Sequence, residues 1–263
     1  MIMTGPMVLA RLRGLSLLAY TAVTMVAFFL LSLPVMLLTW SGDFPMWLAR
    51  RLWSPSCLWL SGCRRLAAPF PALPEGPLIF ASNHESALDI WVLVERLPRN
   101  VRFVAKKELF RIPIFGWYLR LGGHVPVDRG NRAQALGSLH AAAGLVRSGT
   151  SLIVFPEGTR SRDGRVQPFK KGPFALAQEA GVPVVPVAIS GSGAVTPSGL
   201  IAVRPGTIRL AAGEPVDPSQ YPERLALLSA VRERVIALHQ SLGGLGGDTT
   251  HHVAEPGGRR SSA

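Results

Sequence analysis

Residues 14–42 contain no Asp, Glu, Lys or Arg, and residues 15–38 are mostly Leu, Val, Ala, Met and Phe. A helix needs about 20 such residues to cross a hydrocarbon core of about 30 Å, so this run is long enough to serve as a membrane anchor. A cleaved signal peptide has a shorter apolar region, about 7–15 residues, that ends in small side chains. This run is longer and ends in Thr39-Trp40. Arg11 and Arg13 precede it, whereas Arg50, Arg51, Arg64 and Arg65 follow it, and basic residues on both sides conflict with a single simple span. A pair of helices entering and leaving one leaflet resolves the conflict, with Pro34 and Pro55 as kinks. Trp40, Trp47, Trp53 and Trp59 cluster here, which makes residues 46–60 an interfacial helix. The alternative is that some of these rings pack on a globular domain. Residues 1–66 are accordingly assigned to a membrane anchor.

Charge narrows the partners. The chain has 28 Lys+Arg against 16 Asp+Glu, a formal net charge of +12, a pI near 11.1 and a mean hydropathy of +0.28. Such a chain is drawn to polyanions, and the positive hydropathy favours anionic membrane lipid over nucleic acid, which is not expected as a partner. Cys57 and Cys63, the only cysteines, suit neither a disulfide framework nor a zinc cluster and read as reduced structural thiols.

After the Pro-rich residues 69–77 the pattern changes. Strands are expected at 78–81, 101–105, 124–127, 151–155, 182–189 and 207–211, the fifth interrupted by Pro183 and Pro186. Helices are expected at 87–97, 133–146, 174–180 and 223–242, and an aromatic, apolar stretch fills 109–121. Alternation of this kind predicts an α/β fold, a largely parallel sheet covered by helices, over residues 67–242. Glycines and polar residues at 243–263 predict a disordered tail.

Three stretches carry candidate chemistry. In residues 82–89, Ser-Asn-His-Glu-Ser-Ala-Leu-Asp, His84 and Asp89 follow a predicted strand. Residues five apart do not share a helical face, so the two meet only if His84 lies in the turn before the helix. Ser86 and Asp89 have capping-box spacing, which supports that turn and also offers a purely structural use for Asp89. The functional alternative makes His84 a general base oriented by Asp89. No Gly-x-Ser-x-Gly elbow is present, so direct attack by an acceptor alcohol is simpler than a serine acyl-enzyme. In residues 152–161, Leu-Ile-Val-Phe-Pro-Glu-Gly-Thr-Arg-Ser, a strand ends in polar groups where open α/β sheets bind ligands. There Arg160 can fork onto phosphate while Gly158 lets backbone approach closely; an ordinary turn with a solvated arginine is the alternative. Residues 122–129 end another short strand at Arg129, and Lys106-Lys107 and Lys170-Lys171 form basic pairs suited to phosphate or CoA, or to solvent. No P-loop signature occurs.

Taken in order, these blocks resemble the 1-acylglycerol-3-phosphate acyltransferases of the wider glycerolipid acyltransferase group. Asn83 to Asp89 matches the family's Asn-His-x4-Asp block, Phe155 to Ser161 its Pro-Glu-Gly-Thr-Arg block, and Val185-Pro186-Val187 its short fourth block. Residues 123–129 correspond to its Gly-x-x-Phe-Ile-x-Arg block, but with Pro126 and Val127 where Phe and Ile are usual. The resemblance implies His84 as base, Asp89 as its partner, and Arg129, Glu157, Gly158, Thr159 and Arg160, with Lys106, around the acceptor phosphate. It implies acyl-CoA or acyl-carrier protein as co-substrate, and the reading it supports takes lysophosphatidic acid as acceptor and needs no cofactor or metal. A catalytic domain facing the cytosol from the cytoplasmic membrane is expected because thioester donors are found there. Acylation of another lysolipid, such as a lysophospholipid or lyso-ornithine lipid, is the near alternative. A non-catalytic membrane adaptor is the distant one, and it leaves the conserved-looking blocks without purpose.

Overall fold

The computed structural model describes residues 5–128, 132–197 and 199–248. The apolar run is part of one helix, α1 (Gly5–Thr39), which begins earlier than expected and takes in Arg11 and Arg13. It is the one helix among the described residues long and apolar enough to cross a membrane. Its buried positions, Ala10, Gly14, Leu17, Phe29, Ser32 and Met36, form a narrow stripe at helical spacing. Leu9, Leu12, Leu15, Leu18, Leu30 and Leu31 stay exposed around it. α1 therefore lies against the rest of the protein along one stripe and presents a broad apolar surface on the other side.

The chain turns at Trp40 and Gly42 and comes back along α1. A Cβ on Gly42 would sit 2.2 Å from the carbonyl oxygen of Gly122, so only glycine lets this turn seat where it does. The return is α2 (Asp43–Leu48), a π-helical turn (Ala49–Trp53) and α3 (Ser54–Leu60). Trp53 Nε1 donates to Thr24 Oγ1 at 2.9 Å, and Thr21 Oγ1 lies 3.9 Å from Cys57 Sγ, so partner numbers fall along α1 as they rise along the return. The expected helix pair is thus present as an antiparallel hairpin. Pro55 stands in the first turn of α3, directly after the π-helical turn. Trp40, Trp47 and Trp59 are exposed, while Trp53 packs edge-on against Trp91. Cys57 and Cys63 are free and buried, and burial pushes the Cys57 thiol up to about 11.

Seven strands form one sheet: β1 (Arg64–Ala67), β2 (Ile79–Ser82), β3 (Val101–Lys106), β4 (Val125–Val127), β5 (Ser151–Val154), β6 (Val184–Ser190) and β7 (Thr207–Ala212). Their order is β1-β7-β6-β2-β5-β3-β4, and every pair is parallel except β6 with β7. β1 was not anticipated. It reads as two arginines, a leucine and an alanine, and among the described residues it pairs only with β7, so the sheet begins inside residues 1–66. Pro186 is tolerated within β6 because the N–H it lacks would face β7 just before their ladder starts at Val187, while its carbonyl still accepts the Gly213 N–H.

Alternate side chains of the central strands feed two cores. Phe80, Ile153, Val185 and Val187 join Leu88, Val92 and Leu93 of α4 (Leu88–Arg96) and Leu58 of α3 on one face. Ile79, Ala81, Leu152 and Val154 join α6 (Arg132–Arg147), α7 (Gly172–Ala180) and α9 (Arg224–Ser241) on the other. A 3-10 turn (Lys107–Arg111) and α5 (Phe115–Leu121) fill the aromatic stretch, and the four-residue α8 (Ser192–Val195) follows β6.

The tail departs from expectation. Residues 243–248 are packed, and 249–263 lie outside the described residues. Arg232, fully buried on α9, donates to the carbonyls of Val166, Gln167 and Asp248, which ties the segment down. Val166 N–H also donates to the Gly246 carbonyl at 2.8 Å. Glycines permit this, because a Cβ on Gly244 would fall 2.3 Å from the His239 ring.

Candidate active site

The carboxyl ends of β2, β5 and β6 meet around one turn, residues 83–87, between β2 and α4. Asp89 stands in the first turn of α4 and is fully buried. Its Oδ2 accepts the backbone N–H of Glu85 at 2.7 Å and of Ser86 at 2.9 Å, and Ser86 Oγ accepts the Leu88 N–H at 3.3 Å. Only half of the reciprocal pattern expected from the Ser86–Asp89 spacing is met: Asp89 reaches back to the Ser86 N–H, but the Ser86 hydroxyl takes the Leu88 N–H and the helix is capped at Ala87. The same Oδ2 lies 2.7 Å from His84 Nδ1. Because a carboxylate only accepts, this contact places the ring proton on Nδ1 and leaves Nε2 as the basic nitrogen. Holding the turn's amides and orienting the histidine are thus performed by one oxygen.

His84 is held on every side. The Phe155 ring stacks on its imidazole at 3.9 Å between centroids. Its N–H donates to Glu157 Oε1 at 3.1 Å, and its carbonyl accepts the Ser161 N–H at 2.7 Å. One residue earlier, the Asn83 side chain exchanges two 2.8 Å hydrogen bonds with the backbone of Ile189 in β6.

Glu157 therefore occupies a different place from the one its motif suggested. It is 3% exposed and absent from the cavity wall, with its carboxyl turned inward to the His84 amide rather than outward to a phosphate. Burial, together with the nearby carboxylates of Asp89 and Glu85, pushes its pKa well above the usual range against the pull of the His84 and Gln167 amides. A charged carboxylate facing an acceptor phosphate would in any case repel it.

The remaining candidates do gather. A cavity of about 820 Å³ is lined by His84, Phe155, Gly158, Thr159, Arg160 and Lys106. Its other walls are largely apolar and come partly from the hairpin: Leu18, Ala22 and Met25 of α1 and Met46 of α2, with Trp91 and Phe115 from the domain. Gly158 has φ +71°, and a Cβ there would meet the Lys170 side chain at 2.8 Å. Thr159 and Arg160 are exposed. Lys106 is half exposed, 3.6 Å from Glu108 Oε2, whereas Lys107 is paired with Asp128. Arg129 lies outside the described residues. His124, also on the cavity wall, accepts the Phe103 N–H on Nδ1 at 3.1 Å, and burial, with the Arg102 charge, lowers its pKa to about 3.

Asn83, Glu85 and Phe155 stand inside the sequence blocks, but nothing in their spacing shows the work each does, because Asn83 and Glu85 sit in a stretch already rich in polar residues. His239 gave no signal, being a single histidine on a long helix.

Residues 66–190 match the family model described as acyltransferase. Among curated relatives it is 38% identical over 163 residues to a 1-acyl-sn-glycerol-3-phosphate acyltransferase of Chlamydomonas reinhardtii, covering 62% of this chain and 48% of that one. It is 43% identical over 123 residues to a chloroplastic one, BAT2, of Brassica napus, covering 47% and 36%. These matches span half or less of the relatives' own lengths. The crystal structure of the 1-acyl-sn-glycerophosphate (LPA) acyltransferase PlsC from Thermotoga maritima superposes with a TM-score of 0.79 at 28% identity, over 89% of this chain and 96% of that one. The chain is thus similar, over its central residues, to acyltransferases that include lysophosphatidic acid acyltransferases.

Proposed function

We propose that the protein transfers a fatty acyl group from a thioester, acyl-CoA or acyl-carrier protein, to the 2-hydroxyl of 1-acylglycerol-3-phosphate, forming phosphatidic acid at a membrane surface. The observation that carries this reading is the opening of His84, oriented by Asp89 at 2.7 Å, onto a cavity whose walls are otherwise largely apolar and whose polar lining includes Thr159, Arg160 and Lys106. His84 Nε2 takes the proton of the 2-hydroxyl as its oxygen attacks the thioester carbonyl. The imidazolium that forms is stabilised by the Asp89 carboxylate. The tetrahedral intermediate collapses, the C–S bond breaks, and the proton on Nε2 passes to the leaving thiolate. Arg160 and Lys106 bind the acceptor phosphate, Arg160 in the forked geometry that suits phosphate oxygens. The apolar walls take the acyl chain, and α1 with its return helices sits in one leaflet, keeping the domain on the cytosolic side where thioester donors are found. In this reading residues 1–66 serve as the anchor and 67–242 as the catalytic unit, with β1 joining them.

The test is acyl transfer to 1-acylglycerol-3-phosphate by the full-length, detergent-solubilised protein. His84→Ala should lower turnover by roughly 10²–10⁴-fold, and Asp89→Asn by a comparable factor. Arg160→Ala should mainly raise the acceptor KM. Near-wild-type turnover by folded His84→Ala would remove the base assignment, and an unchanged acceptor KM would remove the phosphate role of Arg160.

A further inference from the structure

Two buried ionisable residues close to the His84 turn take no part in the chemistry above. Glu85 is 5% exposed and His239, on α9, is 1% exposed. Glu85 Oε1 accepts from His239 Nε2 at 2.9 Å. Its Oε2 accepts the N–H groups of Gly191 and Gly193, both at 3.1 Å, and the Ser192 hydroxyl at 3.5 Å. His239 Nδ1 in turn accepts the Gly246 N–H at 3.0 Å. That last bond fixes the tautomer: with Nδ1 accepting, the ring proton sits on Nε2 and points at Glu85. Every hydrogen-bonding site of the His239 ring is satisfied.

The placement of Glu85 gives this chain of bonds its importance. Its own N–H donates to Asp89 Oδ2, the oxygen that also holds His84 Nδ1. A shift of the Glu85 side chain therefore moves a donor to the oxygen that aims the base. We infer that His239 is a positioning residue for His84, acting through Glu85, and that the packed segment 243–248 is the part of the site that sets its tautomer.

The alternative is that His239 merely fills space between α9 and the sheet, and chemistry separates the two. His239→Gln keeps an N–H donor for Glu85, whereas His239→Leu fills similar volume with none. For folded enzyme, His239→Leu should lose roughly 10–100-fold in kcat, the scale expected when a base is misplaced by a fraction of an ångström to an ångström. Both KM values should stay within about twofold, because neither residue lines the cavity, and His239→Gln should recover to within about fivefold of wild type. The low-field proton resonance of the His84–Asp89 bond should persist in His239→Gln and shift or vanish in His239→Leu. Equal kcat in the two variants, whether both normal or both lowered, would overturn the proposal. If His239→Leu does not fold, Glu85→Gln takes its place with the same expected split, and wild-type kcat would then overturn it. The inference rests on His84 being the base, so His84→Ala is assayed alongside. An active His84→Ala sinks that assignment, while an inactive one with equal position-239 variants sinks only the positioning role.

Discussion

At the scale of single residues, the site is built by satisfying backbone groups with side chains that are also needed for chemistry. Asp89 holds the amides of Glu85 and Ser86 and orients His84 with one oxygen, and Glu157 satisfies the His84 amide from inside the fold. His124 allows a test of how strictly buried groups are matched to a protonation state. Its folded pKa of about 3 lies below its unfolded value near 6.5, so the unfolded state binds more protons between those values. Its contribution to stability is complete above about pH 6.5 and is lost as pH falls toward 3. His124→Asn keeps an acceptor near the Phe103 N–H but cannot titrate. The expected outcome is a flatter fall of Tm with acid between pH 6.5 and 4 than in wild type, measured by thermal unfolding. The His84–Asp89 pair was legible in the sequence because both members lie in one local turn whose capping residues are also local. The work of Glu85 and His239 was not, because 154 positions separate them and only packing brings them together.

At the scale of elements, small residues decide how closely the hairpin approaches the domain. Gly14 of α1 has no room for a side chain: a Cβ would stand 2.9 Å from the backbone nitrogen of Ala202, and the neighbouring Val203 N–H donates to the Ala10 carbonyl. Gly14→Leu should therefore destabilise by about 1–3 kcal/mol, the usual cost of overpacking a close contact. In a chain of this size that corresponds to a Tm lower by roughly 2–10 °C, whereas Leu12→Ala on the exposed face should leave Tm nearly unchanged. The apolar run announced a helix here, and the alternation of strands and helices announced the sheet. Neither could show the narrow docking stripe, since Ala10, Gly14 and Leu17 look no different from their exposed neighbours until a partner is present. β1 was hidden for a related reason: an edge strand that borrows its ladder from β7, more than 140 residues later, carries little periodicity of its own.

At the scale of the whole molecule, the N-terminal hairpin and the α/β domain share a core. Leu17, Met46 and Ala49 belong to the same apolar cluster as Phe80 of β2 and Val187 of β6. Membrane attachment and active-site integrity should then fail together. A chain beginning at residue 40 is expected to show little acyl transfer even with detergent-dispersed acceptor and donor, when delivery by a bilayer is no longer limiting. Activity within a few-fold of the full chain in that assay would show that α1 only tethers.

The stretch of α1 from Leu18 to Met25 is at once part of the cavity lining and a neighbour of the helix's exposed apolar surface. The reaction vessel is thus closed by the very piece that a protein engineer would cut away to obtain a water-soluble enzyme. Trimming it would replace a greasy wall with solvent, so solubility has to be sought by repainting the outer leucines of α1, not by shortening the chain.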